Sequence, residues 1–144
     1  MRVFTSVSLR RMALSLCVAA LLAAAPLGAR GRIAYFLDIY SVTCWMQNDP
    51  GGADEPYLKL NGNRIWTGGD CTPISTQYPS VHTDFWEHAD LYIMEDDFGS
   101  DDTVGYVYVS SAQNGQGTLT YYSYKWVDNL GWMPNYSMDY AVYQ

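Results

Sequence analysis

Apolar and polar positions alternate in short runs along most of this chain, and Gly, Pro, Asn and Asp punctuate them. Residues 33–46 form the first run, with Phe36, Asp38, Tyr40, Val42 and Cys44 on alternate positions. That period of two predicts a β-strand. Tyr57 to Leu60 predicts a second, and Asn61-Gly62 is a hairpin turn that returns the chain through Arg64-Ile65-Trp66. Residues 67–80, with Gly68-Gly69-Asp70 and two prolines, read as loop. Strands are then predicted over Val81 to Trp86, Leu91 to Met94, Val104 to Ser110, Leu119 to Trp126 and Ser137 to Tyr143. No stretch shows a helical period. Eight short strands at regular spacing predict an all-β fold, an eight-stranded antiparallel sandwich. Thirteen Tyr and five Trp suit it, because aromatic side chains favour half-buried pleated surfaces.

The first 29 residues do not fit this pattern. Arg2, Arg10 and Arg11 precede an apolar run from Met12 to Leu27, and Gly28-Ala29 supplies small residues. This order is that of a secretory signal peptide, and the run falls short of the roughly 20 apolar residues of a spanning helix. The expectation is a leader over 1–29, a single domain over 30–144, a secreted product and no membrane span in the mature chain. Without Arg2, Arg10 and Arg11, five of the eight basic residues remain against fifteen acidic ones, a balance near −10. Nucleic-acid binding requires a basic footprint, so that class is excluded.

In an exported chain, Cys44 and Cys71 are expected to pair as a disulfide. The closed loop would contribute about 3 kcal/mol by chain entropy. His82 and His88 have no zinc-site spacing. Ser80, His82 and Asp84 lie close in sequence, but no G-x-S-x-G elbow or phosphate-cradling glycine loop is present, and the chain reads as non-enzymatic.

The acidic residues concentrate at two junctions. Asp49-Pro50-Gly51-Gly52-Ala53-Asp54-Glu55 precedes the second strand, and Glu95-Asp96-Asp97 with Asp101-Asp102 separates the Leu91–Met94 and Val104–Ser110 strands. Like charges this dense repel unless a cation or water neutralises them. A hard cation such as Ca²⁺ takes six to eight oxygens from such loops. The EF-hand pattern does not fit. Solvated acidic turns that keep a β-protein soluble are the plainer alternative.

At these residues the chain resembles the C2 domain family. Asp49, five residues, then Glu55-Pro56-Tyr57 and a strand are similar to that family's first calcium loop. Glu95-Asp96-Asp97, a spacer, then Asp102-Thr103-Val104-Gly105 are similar to its third. Glutamate stands at 55 and 95 where the family has aspartate, and the spacer is one residue short. The chain also resembles small secreted bacterial proteins of C2-like kind. The resemblance implies a C2-like sandwich with Ca²⁺ held by Asp49, Glu55, Glu95, Asp97 and Asp102, with Asp54, Asp96 and Asp101 as substitutes if the register shifts.

Two functions follow as expectations. One is a secreted, non-enzymatic calcium-binding module, serving Ca²⁺-dependent stability or contact with a lipid or protein surface, with Trp45, Met46 and Phe98 beside the loops. The alternative is a secreted interaction protein, an inhibitor or toxin-like factor, that uses an aromatic face without metal. Tyr121, Tyr122, Tyr124, Trp126, Trp132 and Tyr136 would form that face or else pack inside the sandwich. The sequence leaves the partner and the oligomeric state open.

Overall fold

The computed structural model describes residues 32–47, 53–97 and 100–144. The expected leader, Asp49 and Phe98 lie outside the described residues. Among the described residues nine strands run in the order β1 (Ala34–Cys44), β2 (Pro56–Leu60), β3 (Asn63–Thr67), β4 (Ser75–Gln77), β5 (Val81–Trp86), β6 (His88–Glu95), β7 (Asp102–Ser110), β8 (Thr118–Val127) and β9 (Gly131–Tyr143). One 3₁₀ turn, Ser111–Gln113, lies between β7 and β8. All pairings between strands are antiparallel.

One sheet is β3-β2-β6-β7, and the other is β5-β1-β9-β8 with β4 beside the end of β1. The single pair Trp86–His88 joins them at a corner, where Glu87 takes a positive φ of 55°. Between the layers lie Leu37 and Ile39 from β1, Leu58 from β2, Leu91 and Ile93 from β6, and Met138 from β9, all fully buried. Burying a side chain of this size stabilises by about 1.5–3 kcal/mol.

Eight strands were expected, and the ninth is β4. Ser75–Gln77 is too short and polar to display alternation, and it is held by pairing with Val42, Thr43 and Cys44. The Asn61-Gly62 turn forms as expected, with φ of 50° and 81°, the left-handed pair that a tight hairpin needs. The alternation along β1 differs from its reading. A bulge between Ile39 and Ser41 changes its register, so Leu37 and Ile39 face the core before it, and Val42 and Cys44 after it. One extra residue moves every later side chain to the opposite face.

The expected Cys44–Cys71 disulfide is not present: both are free, fully buried thiols. Cys44 Sγ lies 3.6 Å from the Met46 carbonyl oxygen and 3.7 Å from that of Cys71, whereas Cys71 Sγ is 3.6 Å from Ser75 Oγ. The two sulfurs also hydrogen-bond to each other as thiols, without the S–S bond of about 2.05 Å that a disulfide has. Hydrogen bonding to Cys71, with burial, pushes the Cys44 thiol pKa up, and the same hydrogen bond draws that of Cys71 down.

Candidate metal centre

The end of β6 and the start of β7 bring Glu95, Asp97 and Asp102 together. Their carboxylate oxygens lie within 4.8 Å of one another. Glu95 is the last residue of β6 and is directly opposite Asp102, the first of β7. Two carboxylates facing each other across a ladder destabilise it unless a cation intervenes. Glu95 is also 2 % exposed, so its carboxyl group is held largely out of water.

A bulge fixes this geometry. Ile93 pairs with Gly105 but Met94 pairs with Thr103, leaving Val104 as the extra residue. Without it Asp102 would pair one position further along and point to the other face. Gly105 is required by close packing, because a Cβ there would stand 3.1 Å from Tyr121 Cε1 and 3.2 Å from Ile93 Cδ1. Tyr121 in turn accepts the Tyr106 N–H at its hydroxyl, 3.1 Å away, which ties β8 to β7 beside the acidic loop.

The other acidic residues have different places. Glu55 is exposed and does not belong to the convergent group. Its carbonyl accepts the Asp96 N–H at 3.2 Å, which links the two acidic segments through backbone. Asp54 is fully buried and accepts the Tyr136 hydroxyl at 2.5 Å, and its own carbonyl accepts the Cys71 N–H at 2.6 Å. Burial, then the bond to Asp54, raises the Tyr136 pKa. Asp96 accepts from Arg64 Nη1 at 3.2 Å, and Asp101 accepts the Tyr57 hydroxyl. The register-shift substitutes are therefore engaged in holding the loops. Sequence reasoning missed Tyr57, Arg64 and Tyr136, because nothing local marks a tyrosine or arginine as the partner of a distant carboxylate.

The donor set consists of oxygen alone, which suits Ca²⁺ or Mg²⁺ over softer metals. A buried glutamate beside two aspartates fits such an ion: Glu95, Asp97 and Asp102 would hold it, each with one carboxylate oxygen.

The histidines do not contribute to this centre. His82 Nδ1 lies 2.7 Å from Asp38 Oδ1 and 3.0 Å from the Tyr143 hydroxyl, and Phe36 stacks on its ring at 5.2 Å. Ser80, Asp38 and His82 line one hollow of about 300 Å³. Asp38 is six strand positions from Cys44, about 20 Å from the loop end. The aspartate beside His82 is thus Asp38 and not Asp84.

The aromatic residues divide. Tyr136 is core and Tyr121 packs against it, but Trp126 and Trp132 are 58 % and 67 % exposed, and Tyr122 and Tyr124 stand out with them. Of the two expectations, packing inside the sandwich does not hold for these four.

No protein-family model and no curated protein matches this chain. Solved structures do. A structure described as that of a C2 domain aligns over 76 % of this chain and 96 % of its own, at 12 % identity and a TM-score of 0.50. A C2 domain of plant Extended Synaptotagmin 1 aligns over 76 % of this chain and 93 % of its own, at 9 % identity and a TM-score of 0.47. Human GIVD cytosolic phospholipase A2, in complex with a fluorophosphonate inhibitor and terbium chloride, aligns over 76 % of this chain and 17 % of its own, at 15 % identity and a TM-score of 0.48. With its two antiparallel layers and its acidic loop between β6 and β7, the described chain is a C2-like β-sandwich.

Proposed function

We propose that this protein is an exported, non-enzymatic module that binds Ca²⁺ at the β6–β7 end and uses that end against a lipid or protein surface. One observation carries the reading: Glu95, Asp97 and Asp102 converge within 4.8 Å, two of them as a facing cross-strand pair. A bound cation neutralises this charge, and its remaining coordination positions accept phosphate or carboxylate oxygens from a partner. Trp45, at 38 % exposure and with Nε1 donating to Ser137 Oγ at 2.9 Å, supplies apolar contact at the same end. Export rests on the residues of 1–29, and the non-enzymatic reading on the lack of a nucleophile–base–orienter set by spacing. Calorimetric titration of the metal-stripped protein with Ca²⁺ and Mg²⁺ tests it. Saturable heat with Ca²⁺ at millimolar or lower concentration is expected, and absence of both heat and thermal shift overturns the reading. Sedimentation with phosphatidylserine vesicles, with and without Ca²⁺, then separates lipid from protein partners.

The exposure of Trp126 and Trp132 favours a second reading, an aromatic interaction surface on the β8–β9 hairpin that works without metal. Partner capture that persists in EDTA and is lost in Trp132→Ala supports it over the first.

A further inference from the structure

We propose that Arg64, stacked on Tyr57, is a positioning residue that ties both stems of the 95–102 loop and so sets the spacing of the metal-binding carboxylates. The inference rests on the calcium reading above but concerns residues outside the convergent group. Arg64 lies on β3, 32 residues before Asp96. Its guanidinium carbon sits 3.6 Å from the Tyr57 ring centroid. Nη1 reaches Asp96 Oδ2 at 3.2 Å on the outgoing stem, and Nη2 stands 3.9 Å from Asp101 Oδ2 on the returning stem. Tyr57 donates its hydroxyl to the same Asp101 oxygen. One planar group therefore spans the loop, touching the neighbour of Glu95 on one side and the neighbour of Asp102 on the other.

A single exposed ion pair does little. Here three contacts act on one rigid fork, and a stacked arginine cannot be replaced by lysine without losing the plane and the second donor. Arg64 is also one of three basic residues beyond Arg32, with Lys59 and Lys125, and Lys59 lies over the same Tyr57 ring at 5.2 Å. Two effects compete in its relation to a bound cation. Its positive charge repels the ion, so removing it by charge alone would tighten binding. Its positioning gathers the ligands, so removing it would weaken binding. Asp96 and Asp101 are diverted onto Arg64 and Tyr57, which leaves the inner three carboxylates to converge, and positioning is the stronger effect.

The test uses the intact protein with Arg64→Gln and Arg64→Lys, both checked for native circular dichroism. In the metal-free state, amide hydrogen exchange over 95–97 and 100–103 should quicken about tenfold in both variants, with 136–143 unchanged. The Ca²⁺ dissociation constant should rise about tenfold in both, the low end of the range for losing a ligand's own hydrogen-bond partner, because Arg64 acts one residue out from Glu95 and Asp102. Unchanged exchange overturns the proposal. So does an unchanged or tighter dissociation constant, or a lysine variant that behaves as the wild type, since charge alone would then explain the site. If the wild type binds no Ca²⁺, the calcium reading fails, and quickened exchange still upholds the tie across the loop.

Discussion

Asp54 and Tyr136 are 82 residues apart in sequence, both fully buried, and joined by a 2.5 Å hydrogen bond from phenol to carboxylate. The bond ties the stem of the first acidic loop to β9, on the strand position that faces Cys44. A buried carboxylate that loses its donor retains its desolvation penalty. Tyr136→Phe should therefore destabilise the protein by about 1–3 kcal/mol in urea denaturation. An unchanged midpoint would show that Asp54 does not depend on this donor.

The same tyrosine gives a prediction in alkali. Burial raises the Tyr136 pKa above its ordinary value of 10.0. The hydrogen bond from Gln113 lowers the Tyr140 pKa less than burial raises it, so that group also sits above 10.0. Folded chains then hold these protons more tightly than unfolded ones. The stability they contribute is complete below about pH 10 and is lost as pH rises toward the folded-state values. The denaturation midpoint should fall steeply above pH 10, less so in Tyr136→Phe.

At the acidic centre the sign depends on metal. Asp97→Asn with Asp102→Asn removes the facing charge, so the metal-free double variant should match or exceed the wild type by about 0.2–1 kcal/mol. With Ca²⁺ at a hundredfold excess over its dissociation constant, the wild type should gain about 2.7 kcal/mol that the variant lacks. Scanning calorimetry in EDTA and in Ca²⁺ reads both effects. Glu55→Gln, outside the convergent group, should keep the calcium response.

Gly105→Ala places a methyl 3.1 Å from the Tyr121 ring and 3.2 Å from Ile93 Cδ1. Overpacking of this kind costs about 1–3 kcal/mol, and Tyr121→Leu should recover part of it. If Gly105→Ala proves neutral by urea denaturation, β8 and β7 separate more easily than the packing implies.

The exposed indoles give the opposite pattern. Trp126 and Trp132 meet edge to face at 5.9 Å across the β8–β9 ladder. Trp132→Ala should cost about 0.5–1.5 kcal/mol from that pair and leave the calcium-dependent rise in melting temperature intact. Parallel melts in EDTA and Ca²⁺ check both statements, and a lost rise would tie the hairpin to the metal centre.

By itself the sequence determined the strand content, the Asn61-Gly62 turn, and the acidic residues at the β6–β7 junction. Each is a local property: a period of two, a pair of left-handed positions, and a concentration of like charge within one loop. Tertiary structure alone decided which carboxylates meet. The bulge at Val104 sets Asp102 opposite Glu95, whereas Asp54 is drawn inward by Tyr136 and Asp96 outward by Arg64. It also decided that Cys44 and Cys71 lie side by side as thiols, that β4 exists, and that Trp126 and Trp132 face solvent. The reason is common to all of them. A side chain's face and partner depend on register and on strands distant in sequence, and a shift of one residue reverses both.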